Sequence, residues 1–325
     1  MTLKLVRTLC VSALFFVSGQ AAQAAEAEAH PRASIPLRSI GPALTSGRVS
    51  DFAFVPGQWQ AHYVAMASGN LWKTENNGVT WDAVFDNEGA YAIGVVELDP
   101  RNPNTVWVGA GENNSQRSVG YGDGVYKSLD GGASWRNMGL KNSGHISMIR
   151  IHPDDSDTVW VAAQGPLWNS GGDRGLYRTT DGGENWKRLL DIDADTGVNE
   201  FVIDPADADV IVASSYQRRR HVWTLINGGP GSGIHKTTDG GKTWRKITRG
   251  VPKGDLGRIG LAMAPSQPNL LYAIIEADDE GKGVYRSTDF GESWEKRSDH
   301  MTTSPQYYNE LVVDPNDPDV VYSVD

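Results

Sequence analysis

Cysteine is all but missing from this chain. The single copy, Cys10, lies in an N-terminal segment that reads as a cleavable leader, so the mature chain can form no disulfide and must be held by its core. Long apolar runs are missing too. Residues 9–17, LCVSALFFV, are too few to span a bilayer comfortably, and no other stretch does better. With Lys4 and Arg7 before that run and Ala22-Gln23-Ala24 after it, residues 1–24 have the form of a secretory signal peptide. Residues 25–35, AEAEAHPRASI, read as a loose leader. The expected location is secreted or periplasmic, with no membrane-spanning segment.

Positive charge is also scarce. Lys and Arg total 30 against 40 Asp and Glu, and removal of the leader takes the net charge from −10 to −12. That balance argues against nucleic acid and anionic membrane as partners. No redox, nucleotide or zinc motif is present. GGPGSG at 228–233 lacks the Lys-Ser/Thr of a phosphate loop and reads as a flexible link. The acidic stretch 276–280 lacks EF-hand spacing and reads as a hydrated loop. No cofactor and no metal are expected.

Glycine (37) and tryptophan (11) are plentiful, and both follow a repeat. KTENNGVTW at 73–81 recurs as KSLDGGASW at 127–135, RTTDGGENW at 178–186, KTTDGGKTW at 236–244 and RSTDFGESW at 286–294. A period near fifty residues marks stacked or radial units. Each period holds a strand ending in a turn (VVELDP 95–100, IRIHP 149–153, FVIDP 201–205, LAMAP 261–265, LVVDP 311–315, less clearly FAFVP 52–56). A second strand follows, then a variable loop, then a third strand leading into the motif, and a fourth starting at its Trp. Four antiparallel strands per repeat predict an all-β fold, a β-propeller over residues 36–325. Within the motif, Asn76, Asp130, Asp181, Asp239 and Asp289 are expected to bind backbone N–H groups of a tight hairpin. Trp81, Trp135, Trp186, Trp244 and Trp294 are expected to pack between blades. All ten read as structural.

These nine residues are similar to the Asp-box, or BNR, repeat, and the chain resembles that family over about residues 36–325. The pattern is nearest to bacterial secreted propellers grouped with the sortilin N-terminal and xyloglucanase-like proteins. The resemblance implies a fold that also serves sialidases, receptors and photosystem assembly factors, so function must come from the site. A sialidase's Phe/Tyr-Arg-Ile-Pro element is not seen; residues 35–38 read IPLR. Sortilin-type receptors carry a cysteine-rich tail and an anchor, neither of which is seen. Xyloglucanase-type enzymes split two catalytic aspartates between two propellers, of which at most one is here, and no residue matches either aspartate.

LRSIG at 37–41 resembles a fourth strand without its own first three, and 307–325 supply only strands one and two. Five complete blades and a partial sixth are expected, with further C-terminal blades of the same polypeptide as a partner.

Strand order puts the motif hairpins and the Asp-Pro turns on one face. The second-to-third-strand loops and the blade-to-blade loops fall on the other, where binding is expected. Glu112, Asp173 and Glu276 are the candidate catalytic acids, with Glu200 and Asp278 as further partners for a carboxylate pair. Candidate ligand contacts are Arg48, Asn113, Arg117, His145, Trp168, Arg219, His221, Trp223, Tyr307 and Tyr308. Arg218–Arg220 reads as a solvated loop segment paired with surface acids, Trp168 and Trp223 as either ligand platforms or loop packing, and His145 as a channel or surface histidine. Rings, amides, carboxylates and guanidinium groups suit a glycan or a peptide. Binding of an extracellular glycan is the favoured expectation. Glycoside hydrolysis and a sortilin-like peptide-binding module are the alternatives.

Overall fold

The computed structural model describes residues 47–324; the predicted signal peptide, the leader and the strand expected at 37–41 lie outside the described residues. Five antiparallel sheets follow one another along the chain, four of four strands and the fourth in order with an extra strand, Thr224–Asn227, paired to its second. Their first strands are Val49–Val55, Ile93–Leu98, Ile146–His152, Thr196–Asp204 and Ile259–Met263. A two-stranded sheet, Glu310–Val313 with Val321–Val324, begins a sixth blade. No helix occurs among the described residues, so none is long and apolar enough to cross a membrane. The fold is the expected all-β propeller of meandering blades. Each outer strand starts one residue past its motif Trp rather than at it, as at Arg136, Lys187 and Arg245.

The core lies between blades. One apolar cluster joins Tyr63 and Leu71 of the first blade to Ile93, Val106 and Val108 of the second. Equivalent clusters fill each later junction, ending with Leu270 and Ile274 against Leu311 and Val313. The second strands therefore meet apolar neighbours on both sides. Val106–Ala110 and Leu271–Ile275 are buried at every position, which is why they read as unbroken apolar runs. Each such Ile, Leu or Val contributes about 2 kcal/mol relative to exposure. Two blade faces expose apolar side chains among the described residues. On the first blade Trp59 is 68% exposed, Phe54 55% and Trp81 38%; on the last, Tyr322 is 57% and Val312 54% exposed.

The motif does what its chemistry predicts. In the third copy the Thr179 hydroxyl accepts from the Gly183 N–H (3.0 Å) and donates to Asp181 (2.6 Å). Asp181 in turn accepts from the backbone N–H and side-chain amide of Asn185 (2.9 and 2.8 Å). Gly183 sits at φ +101°, where an L side chain is strained. Asn76 keeps the backbone bond, to the Thr80 N–H at 2.9 Å, and donates to the Thr80 hydroxyl where the aspartates accept. Each hairpin docks on the first turn of its own blade: Gly131 N–H on the Asn104 carbonyl, Gly182 on Asp157, Gly240 on Asp209. Motif hairpins and first turns thus share one face, and the long loops occupy the other.

Candidate functional site

The long-loop face is organised by residues 112–121 of the second blade. This loop reaches every other described blade. Glu112, 3% exposed, pairs with the Arg48 guanidinium of the first blade, whose Nε lies 2.9 Å from Oε1. Asn113 accepts from the Gln164 amide of the third blade at 2.6 Å, and that amide also reaches Asn199 of the fourth (2.6 Å). The Asn113 and Asn114 carbonyls accept from Arg258 (3.1 Å) and Arg218 (2.7 Å), and the Ser115 carbonyl from Arg220 (2.9 Å). Arg258 also binds the Tyr307 carbonyl (2.9 Å) and Glu310 (3.0 Å) of the last blade. Arg48 lies over the Tyr307 ring, 5.4 Å from its centroid.

Arg48, Glu112, Asn113 and Tyr307 are therefore brought together, but largely to bind one another. Arg218–Arg220 differs from the expected solvated loop. The second strand of the fourth blade continues to His221 and pairs with Thr224–Asn227 as a hairpin arm. Strand alternation puts Arg218 (0% exposed) and Arg220 (6%) inward and Arg219 outward, 2.8 Å from Asp195. GGPGSG is likewise pinned rather than flexible. Gly229 N–H donates to the Leu256 carbonyl (3.0 Å) and Gly231 N–H to the Gln217 side chain (2.9 Å). His145 is fully buried and offers nothing to a ligand arriving from solvent.

Of the candidate acids, Asp173 accepts from the Asn142 N–H (2.9 Å) and fastens a blade-to-blade loop. Glu276 is half-buried; it accepts from Asn227 (2.7 Å) and the Arg258 N–H (2.9 Å), while burial raises its carboxyl pKa. Glu200, buried on a first strand, takes the Leu261 N–H at 2.6 Å. Burial, then the nearby Glu310 carboxylate, push Glu200 up to about 8. Each carboxylate is occupied by the fold, and no pair of them shares a bonding partner across an open cleft.

The aromatic candidates are different. Trp223 is 81% exposed at the hairpin tip and stacks on His221, centroids 5.4 Å apart and planes 9° apart. Tyr307 and Tyr308 stack at 5.6 Å and remain partly accessible, as does Trp168. Tyr121 is 57% exposed, and Arg117 is exposed beside it in sequence. Sequence reasoning missed Ser115 and Glu310. Neither carries a local signal, since both act through contacts distant in sequence.

The model of the family described as sortilin, neurotensin receptor 3, matches residues 69–221, 123–251 and 174–324. Xyloglucanase Xgh74A of Acetivibrio thermocellus is 26% identical over 251 residues, covering 66% of this chain and 26% of that protein. A xyloglucanase of a Paenibacillus species is 26% identical over 235 residues, covering 66% of this chain and 21% of the relative. The chain thus spans about a quarter of the length of the curated relatives it matches. The crystal structure of an ancestral GH74 enzyme superposes with a TM-score of 0.61 at 21% identity, over 86% of this chain and 35% of that one. The GH74 xyloglucanase from Xanthomonas campestris gives 0.52 at 15% identity, over 87% and 51%. These two superpositions concern the fold alone. The overlapping family matches step through the described blades with the period of the repeat, and the chain belongs to the Sortilin-Vps10 family.

Proposed function

We propose that this chain is a secreted propeller that binds an extracellular glycan across its long-loop face. One observation carries the reading. On that face the candidate acids Glu112, Asp173 and Glu276 are taken up in internal bonds, while the rings of Trp223, His221 and Tyr121 are at least partly open to solvent. Flat exposed rings suit the apolar faces of sugars, and the polar rim of Arg117 and Arg219 suits hydroxyls. The names of the matched relatives make xyloglucan the first polysaccharide to test. The same reading places further blades of the polypeptide against the open faces at Trp59 and Tyr322, which are apolar like the filled junctions.

Hydrolysis is the second reading, favoured by the xyloglucanase relatives. It requires a second acid opposite one of the present ones. Glu276, half-buried with a raised pKa, is the acid to test.

The deciding experiment applies the full-length protein to immobilised xyloglucan and other polysaccharides, reading both retention and released reducing sugar. Retention without release is expected. Release abolished by Glu276→Gln would replace binding with hydrolysis. No retention on any glycan, with capture of a peptide instead, would reject both glycan readings.

A further inference from the structure

Beneath the 112–121 loop lies a buried positive charge without a counter-ion. Arg218 is fully buried. One of its nitrogens, Nη1, is spent on the Asn114 carbonyl (2.7 Å) and the Ser115 hydroxyl (3.4 Å). Its Nε and Nη2 meet no protein acceptor. His145 is fully buried under the same loop. The Gly122 N–H on the Gly144 carbonyl (2.8 Å) holds the loop over it.

The surrounding charges do not balance Arg218. Those that act on it come from Arg174 and Arg258, both repulsive, and from the Tyr216 phenol, and burial together with those arginines lowers its pKa to about 9. The His145 pKa is lowered by burial first and then by Arg218, while a hydrogen bond with the Glu112 backbone raises it and Arg174 lowers it further. Glu112 itself is spent on Arg48 and Asn114. Arg174 offers no acceptor and is committed to carbonyls of Gly171, Gln164 and Asn169. A buried guanidinium left unpaired costs several kcal/mol, and unsatisfied N–H groups add to that.

We propose that Arg218 binds a small inorganic anion, chloride being the best fit, as a structural ion locking the 112–121 loop to the fourth blade. The donors are all N–H groups, as an anion requires. None of these atoms reaches solvent, which excludes a sugar acid or a peptide carboxylate and favours a monatomic ion. The site is independent of what the exposed face binds.

The test is thermal unfolding of the full chain at fixed ionic strength, with chloride exchanged for gluconate. An ion that binds only the folded state raises Tm with concentration. A rise of about 5 °C between 1 and 100 mM chloride is expected from that linkage and the size of the domain. Arg218→Met should abolish the chloride dependence. Should that variant fail to fold, bromide-soaked crystals of the unaltered protein decide, through an anomalous peak within hydrogen-bonding reach of Arg218. Equal Tm in both salts, persistence of the effect in Arg218→Met, or ordered water alone at that position in bromide would overturn the proposal.

Discussion

Trp186 donates its indole N–H to the backbone carbonyl of Met138 in the preceding blade, 2.8 Å away. Trp135 does the same to Val84 (2.6 Å) and Trp244 to Leu189 (2.9 Å). In these three copies the motif Trp is a strap between blades as well as an apolar filler, whereas the buried Trp294 indole N–H meets no acceptor. Trp186 also meets Trp107 edge-on at 6.2 Å. Trp186→Phe keeps a ring and loses the bond, so about 1 kcal/mol of stability should go. Trp186→Ala removes both and should cost about 3 kcal/mol. Urea titration followed by circular dichroism measures the two. Equal costs would mean that the hydrogen bond, rather than packing, is the whole contribution.

The Asp-boxes predict sensitivity to acid. Hydrogen bonds, from Ser134 foremost for Asp130 and from Thr179 foremost for Asp181, depress both carboxyls to about 2, and Asp239 is lowered in the same way, by Thr243 first. A carboxylate depressed in the folded state stabilises above its unfolded pKa, and that contribution is lost as pH falls through the folded value. Tm should therefore fall between about pH 4 and pH 2. Asp181→Asn should flatten part of that fall, because the amide, like Asn76, has no proton to gain. An unchanged acid limb in the triple variant of Asp130, Asp181 and Asp239 would sink the account.

Glu200 predicts the opposite slope. Its folded pKa of about 8 lies above the unfolded value, so the folded state holds a proton that the unfolded chain has released. Stability from this group is full below about pH 4 and declines as pH rises toward 8. Asp51, raised to about 7 by burial on a first strand, adds to the same decline. Glu200→Gln can still accept from Leu261 N–H and is neutral throughout. The variant should gain stability relative to the parent between pH 5 and 8, read as a diverging pair of Tm-against-pH curves. Parallel curves would show that Glu200 is ionised in the folded protein.

The repeat was legible because its information is local. Ser/Thr, Asp (Asn76 in the first copy), Gly and Trp act within nine residues and recur five times, so hairpins, blade boundaries and the two faces all follow from spacing. The loop face was legible only as a location. Arg218–Arg220 looks like a charge run, and hydropathy hides that it continues a strand whose alternate side chains turn inward. The partners of Arg218 and Arg220 lie about a hundred residues away, at Asn114 and Ser115, with no sequence signal to connect them. Glu112 follows an apolar strand, Val106–Ala110. That placement is what buries it and forces it to pair.

Trp223 should separate binding from folding. At 81% exposure it contributes little to the core, so Trp223→Ala should change stability by less than about 0.5 kcal/mol. If the tip stacks on sugar, affinity for the retained polysaccharide should fall about tenfold, equivalent to about 1.4 kcal/mol. Affinity electrophoresis of parent and variant gives the ratio. Unaltered retention would move the binding surface elsewhere, to Tyr121 or the Tyr307–Tyr308 pair.

Glu112→Gln tests whether that acid is a strut or a reagent. Gln keeps the length and can still accept from Asn114, but leaves Arg48 unbalanced. Arg48 retains 29% side-chain exposure, so water offsets part of the loss and about 1–2 kcal/mol is expected. A double-mutant cycle with Arg48→Met should return most of that as coupling between the two residues. A catalytic Glu112 would behave differently: Glu112→Gln would remove any sugar release while leaving Tm unchanged. The two outcomes differ in the quantity that moves, stability or turnover, so one set of variants decides between them.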